Sequence, residues 1–422
     1  MSNEGSFLHL SSSSLPRHVN IYSRQYTMKP TSLARLPSLP VELVELIAGF
    51  LEADGLLALR LVCRELQRKT FNHFAPRFFS SIKTDLSGDS LHRINALSQN
   101  TALRPYVNGL AFMLQNGVGR GLVWDRHPWG PISAPLEVEA IRSLRDNLIQ
   151  HLTNCRSFFI FCRYPEGHPD MSHVTITDAV AVFFALVVDA RLPVSSFHLI
   201  YANKYSRTLI MDMRRLPKLL YRQPEFKVVW GNLQKLSLEQ YLTLDNFGFL
   251  LELVLSAPNL RTLLLNLGSH DLASEFMHEL AESADFSQLH ELALFRTSMR
   301  GPDLHKLLTN VRPNLISLTL YHVSLAPGSD WPQFLTELSQ GFLALQSISL
   351  YYLWASTPAK GLLTFPDIPK TPSLCNSKDQ HLNIFYSEDI KTPIVLGIEY
   401  SGSKMSYVLN LLHTETETSF PH

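Results

Sequence analysis

One spacing returns along most of this chain: apolar, two residues, apolar, one residue, apolar. It stands at Leu233-Leu236-Leu238, Leu260-Leu263-Leu265, Leu289-Leu292-Leu294, Leu315-Leu318-Leu320 and Leu345-Ile348-Leu350. Successive starts lie 27, 29, 26 and 30 residues apart. Looser copies at Val107-Leu110-Phe112, Cys155-Phe158-Ile160 and Val194-Phe197-Leu199 lie 48, 39 and 39 residues from the next, which requires insertions. The last two apolar positions of each copy alternate as a strand does. They share one face of a sheet, and the residues between and beside them share the other. Amphipathic helical stretches separate the copies. Leu272, Phe276 and Leu280 form one stripe, and Phe334, Leu335 and Leu338 another. Asp330 is placed to cap the second, with Trp331 and Pro332 in its first turn. Alternating strand and helix predicts an α/β fold with a parallel sheet and helices outside it. No unit covers its own apolar face, so the units stack as a solenoid.

The period resembles that of leucine-rich repeats, roughly 20–29 residues long. The competing reading is an ordinary α/β domain with Leu-rich strands. The repeat's turn asparagine is missing: Tyr241, Arg296 and Trp354 lie where such a ladder would run. The segment 398–412, IEYSGSKMSYVLNLL, reads as a strand or turn followed by a capping helix.

Residues 36–66, LPSLPVELVELIAGFLEADGLLALRLVCREL, form a second kind of segment. Pro40 suits the first turn of a helix. Leu43, Leu46, Ile47, Phe50 and Leu51 follow at helical spacing. Asp54 is placed to cap a second helix carrying Leu56, Leu57, Leu59, Arg60, Val62 and Cys63. About thirty residues this apolar cannot hide their side chains in a core of their own. The segment therefore needs a partner helix or groove.

This stretch resembles an F-box, the helical module that docks on a Skp-type adaptor in cullin ubiquitin ligases. The matching residues are Leu39, Pro40, Glu42, Leu43, Ile47, Leu51, Leu57, Arg60, Val62, Cys63 and Arg64. Gly55 stands where relatives often place an acid, and Leu66 where many carry Trp. A helical hairpin inside a larger core is the competing reading. With the repeats, with TFNHFAPRFFSSIKTD at 70–85 and with LRPYV at 103–107, the chain is similar to fungal F-box proteins. The resemblance implies a disordered tail over 1–34, an F-box over 35–70, a helical linker over 71–106 and a leucine-rich-repeat-like domain with a C-terminal cap over 107–422. It also implies a non-catalytic substrate receptor of an SCF-type ligase. Leu39, Pro40, Glu42, Leu43, Ile47, Leu51, Leu57, Val62 and Cys63 would meet the adaptor, and the cullin would be reached through it. The alternative is a repeat scaffold working outside cullin complexes.

Strand alternation places Phe159, Phe161, His198, Ile200, Lys235, Glu239, Leu264, Asn266, Glu291, Phe295, Tyr321 and Tyr351 on the face away from the helices. So many aromatic and aliphatic residues on one face mark a protein-binding surface. The members expected to carry substrate are Phe159, Phe161, His198, Leu264, Glu291, Phe295, Tyr321 and Tyr351. Insertions or the C-terminal segment folding over that face would bury it instead. The stiff loop Trp124–Pro135, with two Trp and three Pro, is either a second recognition element or a plug for the first turn of the array.

The 422 residues carry formal net charge zero at a pI near 7.3, which argues against a dominant nucleic-acid surface. Arg60, Arg64, Arg68, Lys69, Arg77 and Lys83 form a local basic excess, read as a solvated helix face or an adaptor contact. Four cysteines make no disulfide framework. No apolar run reaches membrane-spanning length, and the longest, Ala179–Val188, suits a buried helix. The Ser-rich first thirty residues carry Arg17, Arg24 and one acid, Glu4, so a mitochondrial presequence competes with the disordered tail. Cytoplasmic or nuclear residence is expected. His168, Asp170 and His173 are metal-ligand types at short spacing, but they lie among Pro and Gly and no metal is expected there. HExxH, P-loop and GxSxG motifs are absent. No cofactor or catalytic residue is expected. A hydrolase in the α/β part would need a deep pocket with convergent polar groups.

Overall fold

Strands form at all eight copies of the apolar spacing, as the computed structural model shows. It describes residues 36–114, 118–126, 132–162, 174–201, 211–268, 271–326, 331–355, 361–365, 381–386, 394–414 and 417–419. The chain divides into two compact units, Met1–Phe74 and Ala75–His422.

The described part of the first unit is helical: α1 (Val41–Phe50), α2 (Ala53–Val62), α3 (Arg64–Lys69) and the start of α4 (Phe71–Phe79). Pro40 is the residue before α1, with φ −50° and ψ 148°, rather than part of its first turn. Glu52, not Asp54, precedes α2 and makes no side-chain cap bond. A small core of Val44, Leu59 and Leu66 joins the three helices, with Leu36, Leu39, Leu51 and Cys63 packed on it. Two cations fasten this unit. Lys69 Nζ donates to the carbonyls of Pro37 and Leu39, each at 2.7 Å. Arg60 lies 3.7 Å from the centre of the Phe74 ring and donates to Gln67 O at 2.6 Å. Of the basic excess, these two are therefore engaged in the fold, while Arg64, Arg68 and Arg77 are exposed.

The second unit is a mixed α/β fold whose largely parallel sheet alternates with helices, giving it a solenoid-like plan. Its order is β1 (Ser81–Thr84), α5 (Gly88–Ser98), β2 (Gly109–Leu114), α6 (Glu139–Gln150), β3 (Ser157–Cys162), α7 (Ile176–Asp189) and β4 (Ser196–Tyr201). Then come α8 (Lys218–Arg222), α9 (Pro224–Trp230), β5 (Lys235–Glu239), α10 (Leu244–Leu255), β6 (Thr262–Asn266), α11 (Asp271–Ser283), β7 (Glu291–Met299), α12 (Gly301–Val311) and β8 (Ser317–Leu325). The last part holds α13 (Trp331–Gly341), β9 (Ser347–Tyr351), β10 (Trp354–Ala355), β11 (Gly361–Thr364), β12 (His381–Tyr386), β13 (Val395–Ser401), α14 (Met405–Thr414) and β14 (Glu417–Ser419). Strands β1 to β9 pair in chain order, all parallel. The array closes antiparallel, β13 on β9 and β12 on β13. Helix α14 packs on α13, so 398–412 is the strand and capping helix the sequence suggested.

Two expectations need correction. The sheet begins at Ser81, inside the segment read as a helical linker, because Ile82 and Thr84 turn inward beside β2. Helix α5 packs on α6 and β1. The turn position also shifts. Arg296, His322 and Tyr352 have φ of 47°, 55° and 51°. In β7 and β8 the pairing passes from Phe295–Tyr321 to Thr297–Val323 and skips the left-handed residue. Each skip lets the following residue face inward, so the buried turn position holds Thr297, Val323 and Leu353 rather than Arg296 or Trp354. Thr297 Oγ1 is buried there with no hydrogen-bond partner among the described residues.

The core lies between sheet and helices. Leucines of the apolar spacing, such as Leu236, Leu238, Leu263, Leu265, Leu292 and Leu294, are at most 1% exposed. Each such residue contributes about 1.5–3 kcal/mol by leaving water. Helix α7 is buried on every side, from Ile176 to Val188. Phe183 stacks on Phe197 with ring centres 4.8 Å apart, and Phe184 meets Trp230 and Phe226 edge-on.

Candidate functional site

In the first unit, helix α1 is apolar apart from Glu42 and Glu45, and one side of it enters the unit's core. Val44 and Ala48 are its buried residues. Val41, Leu43, Leu46 and Phe50 stay exposed, Phe50 at 82%. On α2, Leu56 and Leu59 are buried, while Leu57, Leu61 and Val62 remain exposed, Leu61 at 87%. Of the residues expected to meet an adaptor, Pro40, Glu42, Leu43, Leu57 and Val62 are exposed and Ile47 is half-buried. Leu39, Leu51 and Cys63 pack on the unit's own core, so their contribution is to hold the helices. Val41, Leu46, Phe50 and Leu61 were missing from that expected set. Helical phase alone does not separate them from core positions when apolar residues spread well beyond the buried stripe of Val44 and Ala48.

In the second unit, the register aligns the outward residues of the sheet in three rows. The first runs Ser157, Ser196, Lys235, Thr262, Glu291, Ser317, Ser347. The middle runs Lys83, Ala111, Phe159, His198, Ser237, Leu264, Ala293, Thr319, Ser349. The last runs Met113, Phe161, Ile200, Glu239, Asn266, Phe295, Tyr321, Tyr351. Every residue expected on this face is in one of these rows. The first is hydrophilic, and the last is aromatic or aliphatic except at β5 and β6.

The aromatics gather at the two ends. Phe159 lies 6.0 Å from Phe161 and 5.8 Å from His198 between ring centres. At the far end, Tyr321 stands between Phe295 at 5.8 Å and Tyr351 at 5.1 Å. Tyr351 also meets Tyr352 at 4.4 Å and Phe385 at 4.8 Å, and His322 stacks on Tyr352 at 4.5 Å. Phe159, Phe161, Phe295, Tyr321 and Tyr351 are all half-buried, so the face is not sealed. Leu264 and Glu291 lie between the two clusters, with Glu291 accepting from Thr262 Oγ1 at 3.0 Å.

Two titratable groups on this face are displaced. Burial raises the Glu239 carboxyl, a rise opposed by its bond with Asn266. Burial and the Lys235 charge lower the His198 imidazole below its usual value, and its Nε2 lies 2.9 Å from Ser196 Oγ. The folded state thus disfavours the protonated ring, whereas the unfolded chain protonates near pH 6.5. This contribution to stability is present above that pH and is lost as pH falls through the folded value. His198→Gln is expected to flatten the loss of stability between pH 7 and pH 5, read as urea midpoints at the two values. An unchanged slope would assign the acid sensitivity elsewhere.

The loop at 124–135 is tied inward in its described parts. Trp124 Nε1 donates to Gly119 O at 3.3 Å, and Ile132 is buried. Arg126 makes a two-toothed pair with Asp178 at the start of α7, at 2.9 and 2.7 Å. These contacts favour the plug over the recognition element; Trp129 is outside the described residues. So are His168, Asp170 and His173. Among the described residues, no group of three His, Cys, Asp or Glu is placed to hold a metal, and no helix is long and apolar enough to cross a membrane. A cavity of about 220 Å³ between α12 and α13 is lined by His305, Arg312 and Glu337 among others. His305 and Glu337 pair there at 2.6 Å, and Thr309 on the same lining donates its hydroxyl to the His305 carbonyl at 2.8 Å.

No family model matches the chain, and no curated protein matches it in sequence.

Proposed function

We propose that the chain is the substrate-recognition subunit of an SCF-type ubiquitin ligase, its first unit an F-box and its second a leucine-rich-repeat-like array. The observation that carries this reading is the exposed apolar set of the first unit: Val41, Leu43, Leu46 and Phe50 on α1, and Leu57, Leu61 and Val62 on α2. The unit's small core, centred on Val44, Leu59 and Leu66, leaves these side chains exposed. Docking each in an adaptor groove gains up to about 1.5–3 kcal/mol. The half-buried aromatics of the sheet supply the surface for a protein substrate. Bond chemistry belongs to the enzymes the adaptor recruits. This chain raises the effective concentration of a substrate lysine beside the charged ubiquitin carrier.

The test is co-purification of the full chain with a Skp-type adaptor, comparing wild type with Leu43→Asp/Phe50→Asp. Both positions are exposed, so the fold is expected to survive. The wild type should retain adaptor, and the double variant should lose about 100-fold in affinity, as for two buried anchors. Equal retention would sink the F-box assignment. A folded wild type that retains no adaptor would be a repeat scaffold.

A further inference from the structure

The two ends of the sheet face differ in charge. On the described strands β1 to β5, the exposed cations are Lys83 and Lys235. The acids described there are otherwise engaged. Asp85 turns back to accept from the backbone N–H and the hydroxyl of Ser87, at 3.0 and 2.5 Å. Glu239 is half-buried and bonded to Asn266. Farther along, Glu291 on β7 and Glu399 on β13 bring acidic charge, and β6 to β9 carry no lysine, their arginine being Arg296 at the left-handed position of β7. Between Lys83 and Lys235 lies the apolar and aromatic group Phe159, Phe161, His198 and Ile200. His198 Nε2 lies 2.9 Å from the hydroxyl of Ser196, the register partner of Lys235, so the basic and aromatic parts belong to one surface.

We propose that this end of the sheet binds an extended acidic segment of a protein partner, with carboxylates on Lys83 and Lys235 and an apolar side chain on the Phe159–Phe161–Ile200 group. The inference rests on reading the sheet as the partner-binding face and adds the chemical class of what it takes. Four strand steps separate β1 from β5, about 19 Å at the usual interstrand spacing. An extended segment covers that span in about six residues at roughly 3.3 Å each. Its first and seventh side chains then point to the same side. Counted from the Lys83 end, the fifth side chain shares that side and falls between β3 and β4, over the apolar group. The recognised pattern is acid, three residues, apolar, one residue, acid. Opposite charges bring the partner in and set its register, and the apolar residue holds it. Aromatics beside cations also suit single-stranded nucleic acid. The peptide is favoured because the basic charge is two isolated lysines about 20 Å apart, too sparse to track a phosphate backbone.

The test uses fluorescein-labelled heptapeptides and the full chain, read by anisotropy at low and high salt. The probes are Glu-Ser-Gly-Ser-Leu-Gly-Glu, its reverse, and versions with Lys or Ser in place of Glu. One acidic peptide should bind at least tenfold more tightly than its lysine version, and more weakly as salt rises. In Lys83→Glu/Lys235→Glu that preference should invert, with an unchanged melting curve since both positions are exposed. Binding of the Ser version as tight as the acidic one, and lost in Phe161→Ala, overturns the acidic class while leaving the sheet as a partner surface. No binding by any peptide overturns the inference. So does tighter capture of a twelve-residue oligothymidine that the charge-reversed variant loses. Adaptor co-purification with the charge-reversed variant reports on the ligase reading separately.

Discussion

Asp178→Ala is expected to lower the stability of the second unit by about 3–5 kcal/mol, the usual loss when one partner of a buried ion pair is removed. The Asp178 side chain is fully buried and receives two bonds from Arg126. It also accepts from Arg215 at 3.4 Å and from Thr175 N and Oγ1 at 2.8 and 2.9 Å. The Thr175 contacts close a capping box at the start of α7. Removing the carboxylate therefore frays the most buried helix of the fold and leaves Arg215, itself 5% exposed, facing Asp212 alone at 3.7 Å. Asp178→Asn should cost less, because one acceptor oxygen survives. Lys306→Ala, which breaks a surface pair with Glu282, should leave the midpoint where it is. Urea denaturation of the three variants decides the matter. A shift for Asp178→Ala no larger than that for Lys306→Ala would mean that the buried network adds nothing to stability.

That network explains why some of the fold could be read from the sequence and some could not. The apolar spacing names its own inward residues, and Ala179–Val188 is apolar enough to be recognised as a buried helix. Nothing local announces that Arg126 meets Asp178, 52 residues away. The ion pair forms because the insertion carrying Trp124 and Ile132 folds back over α7, and that is a tertiary event. Strand β1 escaped notice for another reason: four residues with one inward apolar side chain, Ile82, make too short an alternation to register. The left-handed residues Arg296, His322 and Tyr352 are hidden more deeply. Such a conformation favours glycine, and none of the three is glycine. Each carries a local cost of about 1–3 kcal/mol. At His322 and Tyr352 the ring stacking at 4.5 Å offsets part of it.

The candidate surfaces were legible to different degrees. Outward positions of a strand follow from a period of two, so the members of the sheet rows could be named in advance. Their grouping into two aromatic ends, one of them flanked by lysines, needed the strand order, which brings Lys83 and Lys235 to either side of Phe159 and Phe161. In the first unit, composition showed that apolar residues would be left over but not which ones. Leu59 and Leu66 settle that by drawing Val44 inward, and Leu46 and Phe50 are then left outside.

Gly397→Ala is expected to detach the closing hairpin of the sheet, because β13 approaches β9 more closely than any side chain allows. A methyl group at Gly397 would run into Cδ2 of the Tyr351 ring and lie 2.6 Å from the Leu350 carbonyl oxygen and 2.9 Å from Tyr351 Cα. The ring can swing away, but the backbone of β9 is held by β8 on its other side. Strand β13 must therefore move, and with it the pairing of Ile398 and Tyr400, both fully buried. Overpacking of this kind costs about 1–3 kcal/mol and more when backbone is the obstacle. Amide exchange over Val395–Ser401 and His381–Tyr386 should quicken, while exchange over β3 to β6 stays slow, since a stacked array opens from its end. Adding Tyr351→Ser to Gly397→Ala should recover part of the loss by removing the ring and leave the carbonyl contact. Full recovery would assign the whole cost to Tyr351. Unchanged exchange in Gly397→Ala alone would show that the two strands have room to part, and the close approach would then carry no stability.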